Sequence, residues 1–239
     1  MTLYKIHFQS SILYDTYGNP FGVPVLLIED VFSTFQNETD FLMKSQNRKF
    51  QVTHIKKINF NNVDSAEYSL LDSTLKSLEE IIIGSASKII IISEGFSCTL
   101  ALHLSMTHPS KINSSYLINP EFCLRKNDYN PAFAFWDWYS KKFEFLPNLA
   151  KFPFLLDFYL KFSNFSERIY NHEQDFSNHI IFSARPTESN VEKSRFLGKK
   201  NTISILDQNF ESTTILNSPV FQKLMIWFLE KDHLQITDT

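Results

Sequence analysis

The sequence predicts an α/β fold: a mostly parallel central sheet with helices on both faces and an antiparallel hairpin at one edge. Three observations carry that expectation. Strand-length apolar runs alternate with stretches of helical period along the chain. Val23–Ile28 and Ile89–Ile92 are apolar at nearly every position, as strands covered on both faces must be. Turn residues such as Gly18-Asn19-Pro20 punctuate the runs at the right intervals. With 239 residues and 43% hydrophobic content, the chain can bury the core of one large domain.

The elements follow in order. Leu3–Gln9 and Ile12–Tyr17 read as two strands of a hairpin, closed by Gly18-Asn19-Pro20. Val23–Ile28 is a buried strand, after which come the carboxylates Glu29 and Asp30. Phe50–Ile58 is the next strand, and Ala66–Ile83 has apolar residues at helical spacing before Gly84. Lys88–Ile92 forms a strand that the turn SEGFS joins to a helix, Cys98–Thr107. Ser115–Ile118 is again strand-like. From 121 to 175 the pattern changes to short, aromatic-dense helical pieces broken by Pro131, Pro147 and Pro153, which reads as an inserted cap. The core, begun over 1–120, resumes over 176–239 with strands His179–Ser183 and Thr202–Leu206 and helices around Glu192–Leu197 and Val220–Glu230.

The segment KIIIISEGFSCTLALHLSMTHPSKINSSYLINP resembles the strand, nucleophile elbow, helix and next strand of α/β-hydrolases. In that family a strand ends in G-x-S-x-G and turns sharply into a helix, which lifts the serine hydroxyl above the sheet. Upstream, ILYDTYGNPFGVPVLLIED is similar to the edge hairpin and the strand that leads to the oxyanion loop. The resemblance spans essentially the whole chain and implies an α/β-hydrolase fold with an aromatic-rich helical cap.

The same resemblance implies that the catalytic positions are degenerate. Gly95 stands where the serine belongs, and Ser93 and Ser97 occupy the flanking glycine positions. A glycine tolerates the strained turn but has no atom that can attack a carbonyl. Reading the elbow two residues away would make Ser93 or Ser97 the nucleophile, in the strand or inside the helix. At the acid position stand Thr187 and Glu188; at the histidine position stand Phe210 and Glu211, with His233 the only later histidine. Glu29 and Asp30 replace the HG of the oxyanion loop, where a carboxylate would repel a developing oxyanion.

The expected function is therefore binding: partner interaction, scaffolding, or an apolar ligand pocket formed by Glu29, Asp30, Glu94, Gly95, Phe96, Trp136 and Trp138. The alternative is an enzyme with a rewired site, an esterase, thioesterase or lyase using the acidic cluster or a shifted serine. Glu29, Asp30 and Glu94 should gather at the carboxyl ends of adjacent strands, where open α/β sheets bind ligands. They read as solvated acids, or as a cation or acid–base site; lacking ordered spacing, they predict no metal and no cofactor. The cap aromatics, Trp136 and Trp138 among them, fill the space under a lid or face an apolar ligand or protein. Only five glycines occur, so each answers a backbone need. The net charge of -3 is scattered, with no basic block for nucleic acid. The opening MTLYKIHFQS lacks a secretory pattern and no window has membrane-span length, so the cytoplasm is the expected compartment and a membrane role is not expected. Cys98 and Cys123 read as buried thiols. His103 reads as a helix-face residue, His108 as a helix end, and His54, His172 and His179 as isolated.

Overall fold

A computed structural model describes residues 5–9, 12–29, 49–58, 70–120, 160–165, 168–169, 178–182, 202–205 and 223–231. Its eight strands are β1 (Lys5–Gln9), β2 (Ile12–Gly18), β3 (Val23–Ile28), β4 (Phe50–Ile58), β5 (Ile89–Glu94), β6 (Ile112–Ile118), β7 (Asn178–Phe182) and β8 (Thr202–Ile205). They form one sheet in the order β1-β2-β4-β3-β5-β6-β7-β8. β1 pairs antiparallel with β2, and β2 with β4; every later pairing is parallel. The edge hairpin and parallel body are thus as the sequence predicts.

Alternation of side chains across β5 shows why its isoleucine run is needed. Ile89 and Ile91 enter one core cluster with α1 (Leu70–Gly84) and α2 (Ser97–Thr107). Ile90 and Ile92 enter the other, with Met225 and Leu229 of the helical segment 223–231. All four are at most 2% exposed, and each fully buried side chain contributes about 1.5–3 kcal/mol of transfer free energy. Phe162, Phe165 and Ile169, from the aromatic-dense stretch, join the α1–α2 side of the core.

Gly18 shows what a scarce glycine is for. Its φ is 94°, and a Cβ there would collide with the Phe50 carbonyl oxygen, so the chain can turn tightly against β4 only without one. The turn is completed by Asn19, whose Oδ1 accepts from the Phe21 N–H at 3.1 Å.

Three sequence readings need correction. β5 runs two residues beyond Ile92, to Glu94, because β6 pairs with it throughout, Ser93 with Leu117 and Glu94 with Ile118. β6 begins at Ile112 rather than Ser115: the polar Ser114 and Ser115 are buried, and the Ser115 hydroxyl bonds that of Ser105 on α2 at 2.8 Å. His179 is not isolated, since its ring stacks on Tyr116 at 4.6 Å and lies 5.5 Å from Phe228, tying β7 to β6 and to the last helix.

Candidate functional site

The carboxyl end of β5 carries the candidate site. After Glu94 the chain turns through Gly95 and Phe96 and enters α2 at Ser97. Gly95 has φ 58°, in the left-handed region that is costly for residues with a Cβ. Its N–H donates to the Ile118 carbonyl at 3.0 Å, fastening the turn to the top of β6. The carbonyls of Gly95 and Phe96 accept from the N–H groups of Cys98 and Thr99, the first turn of the helix. A strand, a left-handed residue and an immediate helix make a tight elbow, as the motif predicts.

The two flanking serines are turned inward. Ser93 and Ser97 are both fully buried. The Ser97 hydroxyl donates to the Glu29 backbone carbonyl at 2.5 Å, joining the start of α2 to the end of β3. The Ser93 hydroxyl points at the Tyr116 carbonyl at 3.5 Å. The Sγ of Cys98, which is fully buried, lies 3.4 Å from the Ser93 carbonyl.

Glu29 and Glu94 do come together along the backbone. Ile28 pairs with Ser93, so the two carboxylate residues stand one position further on, at the ends of adjacent strands. The Glu29 carboxylate leans across β3 onto His54 of β4, with Oε1 2.9 Å from Nε2. Both are buried, Glu29 at 7% and His54 at 1% exposure. Asp15, also buried, is the register partner of His54 from β2, and the Tyr17 ring meets the imidazole edge-on at 6.3 Å. His54 was expected to stand alone; parallel pairing of β3 with β4, Leu27 opposite His54, is what delivers it to Glu29. Phe96, also expected at a pocket, packs into the core with its ring 5.9 Å from that of Phe162. Asp30, Trp136, Trp138, Thr187, Glu188, Phe210 and Glu211 lie outside the described residues. Among the described residues, no three His, Cys, Asp or Glu side chains are grouped to hold a metal ion. Asn119, which sequence reasoning did not single out, is also left-handed, φ 44°, at the end of β6; Asn tolerates that region better than most residues.

The far side of α2 carries a second polar arrangement. His103 and His108 place Nε2 3.5 and 3.8 Å from the same Glu79 oxygen on α1, and the His103 ring lies 5.0 Å from Phe165. Burial pushes the His103 imidazole below the ordinary 6.5, outweighing the attraction of Glu79. A lowered histidine value means that the unfolded chain takes up the proton first. Stability is then full above pH 6.5 and declines as the pH falls through the depressed folded-state value. Urea unfolding midpoints measured down to about pH 5 should show this decline, and His103→Gln should make it shallower. An unchanged slope would assign the decline to other groups.

No family model matches the sequence, and no curated protein matches it. Solved structures do. An α/β-hydrolase enzyme from the metagenome of sediments from the lagoon of Mar Chica is similar at TM-score 0.66 and 12% identity, over 95% of this chain and 99% of that one. A monoacylglycerol lipase from Paleococcus ferrophilus gives 0.63 and 14%, covering 92% and 99%. An α/β-superfamily hydrolase from Oenococcus oeni gives 0.62 and 16%, covering 96% and 99%. The chain has the α/β-hydrolase fold. Among its described residues, no helix is long and apolar enough to cross a membrane.

Proposed function

We propose that this protein is a catalytically silent member of the α/β-hydrolase fold that works by binding a protein partner or an apolar ligand. One observation carries the reading: the residue at the turn from β5 into α2, which the resemblance aligns with the nucleophile, is Gly95, at φ 58° and with no side chain to attack. The buried Ser93 and Ser97 beside it are supporting evidence, because a buried hydroxyl that donates to a backbone carbonyl and meets no solvent is a poor nucleophile. The aromatic density of the sequence over 121–175 is further support, since aromatic residues are enriched where proteins bind partners.

A fluorophosphonate probe should leave the protein unlabelled; stoichiometric labelling at Ser93 or Ser97 would defeat the proposal. Gly95→Ser should not raise p-nitrophenyl ester hydrolysis above background, because neither Glu29 nor the residues at the histidine position supply a base for it. The second reading, a rewired hydrolase or lyase, draws on the pair that Glu29, just beyond β3, makes with His54 of β4. It requires ester turnover by the native chain that His54→Gln abolishes.

A further inference from the structure

Along α2 a row of ring contacts begins at an ionisable group. The His103 imidazole lies 5.0 Å by ring centroids from Phe165. Phe165 lies 6.1 Å from Phe162, and Phe162 lies 5.9 Å from Phe96, the residue after Gly95. The row thus runs from the middle of α2 back to the elbow, and residues 160–165 supply its two central rings. Phe162 and Phe165 are buried, with Ile169, in the core cluster that contains α1 and α2.

His103 is the one member of the row that can take a charge, and its surroundings suit the neutral form. From α1, Glu79 places one carboxylate oxygen 3.5 Å from His103 Nε2 and 3.8 Å from His108 Nε2. A single carboxylate therefore serves two imidazoles. Arg168 brings a permanent cation, and its field, like that of His108, opposes a proton on His103. Residues 160–165 present the uncharged Phe165 ring, and Lys161, their one charged residue, is exposed. Among the described residues these are the charged and titratable groups around the imidazole. Burial is the largest influence on it and disfavours the cation, ahead of the attraction of Glu79.

Part of that burial comes from the aromatic segment itself. The Phe165 ring lies against the imidazole and Arg168 adds charge repulsion, so docking of the segment and protonation of His103 oppose one another. By linkage each weakens the other by the same factor. We propose that His103 is a proton-operated latch: neutral, it lets residues 160–165 and 168–169 dock on α2, and charged, it releases them and uncovers Phe96 beside Gly95. The contacts decide which partner gives way. α1 offers the charged ring an anion in Glu79, so protonation does not part α1 from α2. The segment offers a cation and a phenyl ring that displaces water, so the segment leaves. Acid would then expose apolar surface at Phe96, Phe162 and Phe165, whether or not the elbow is silent.

The test is hydrogen exchange of the full-length protein at about pH 7.5 and about pH 5.5, read by mass spectrometry and corrected for the intrinsic pH dependence of exchange. Uptake of one proton lets the opening equilibrium rise by up to about tenfold over that range. Peptides covering residues 160–169 should lose protection at the lower pH, and peptides covering β5 should lose much less. His103→Gln keeps a hydrogen-bonding side chain without the titration, and it should hold the protection of residues 160–169 constant. His108→Gln should keep most of the loss. Arg168→Gln, at an exposed position, should reduce the loss and raise the titration midpoint of His103, followed by NMR of its imidazole resonances. Equal loss of protection by residues 160–169 and by β5 overturns the proposal, since the proton would then act only through global unfolding. So does a loss that survives His103→Gln, or a His103 midpoint that Arg168→Gln leaves unmoved. Should His103→Gln fold poorly, the native protein and Arg168→Gln decide the matter alone.

Discussion

Replacing His54 by leucine should destabilise the protein by about 3 kcal/mol, because it strands the Glu29 carboxylate in a buried site. At 7% exposure Glu29 cannot recover the lost partner from bulk water. Glu29→Leu alone should cost less, since it removes the carboxylate rather than its partner. The double variant should recover much of the loss, because well-packed aliphatic side chains replace a buried polar pair at little net cost. Urea unfolding of the four proteins in a double-mutant cycle gives the coupling directly, and a value of about 1 kcal/mol or more is expected for groups in contact. A His54→Leu variant as stable as the native protein would show the pair to be dispensable. The effect should reach the elbow as well. Glu29 offers its backbone carbonyl to Ser97 while its carboxylate holds His54, so one residue ties β4, β3 and the first turn of α2 together.

That connection also marks what could be read from the sequence. The strands, their alternation with helices and the elbow were legible because each is local: Ile89–Ile92 announces a doubly buried strand, and a glycine between Glu94 and Phe96 announces a left-handed turn. The expected proximity of Glu29 and Glu94 needed only the strand order usual for the resemblance. The direction of the Glu29 side chain did not follow, because His54 lies 25 residues away and reaches it only through the β3–β4 register, which no short-range pattern encodes. The same holds for β6. Asn113-Ser114 carries no strand pattern of its own, and it joins β6 only because Ser114 is buried opposite Ile90 of β5. Polar residues in a buried strand are a tertiary agreement between distant segments, and composition alone assigns them to a turn. The polar patch beside the end of α1 was missed for a related reason: Thr16 of β2 is distant in sequence from Gln51 and Thr53 of β4 and joins them only through the β2–β4 register.

Phe162→Ala should destabilise the protein by about 3–5 kcal/mol, lowering the thermal midpoint by on the order of 10 °C for a chain of this length. Phe162 is fully buried, 5.9 Å by ring centroids from Phe96 and 6.1 Å from Phe165. Truncation removes both aromatic contacts and leaves a cavity beside the residue that follows Gly95. Phe162→Leu should lose less, because it keeps most of the volume. Trp227→Ala, at a position 56% exposed on the opposite side of the sheet, should change stability by about 0.5 kcal/mol or less. A consequence specific to the elbow separates docking from general loosening. Cys98 is fully buried in the first turn of α2, two residues beyond Phe96. In a Cys123→Ser background, its reaction with a thiol reagent therefore reports opening of this region alone. Phe162→Ala should accelerate that reaction more than an equally destabilising truncation on the far face, such as Met225→Ala. Equal acceleration by the two variants would mean that Cys98 is reached only by global unfolding, and that the helical residues 160–165 stabilise the fold without serving as the roof of the elbow.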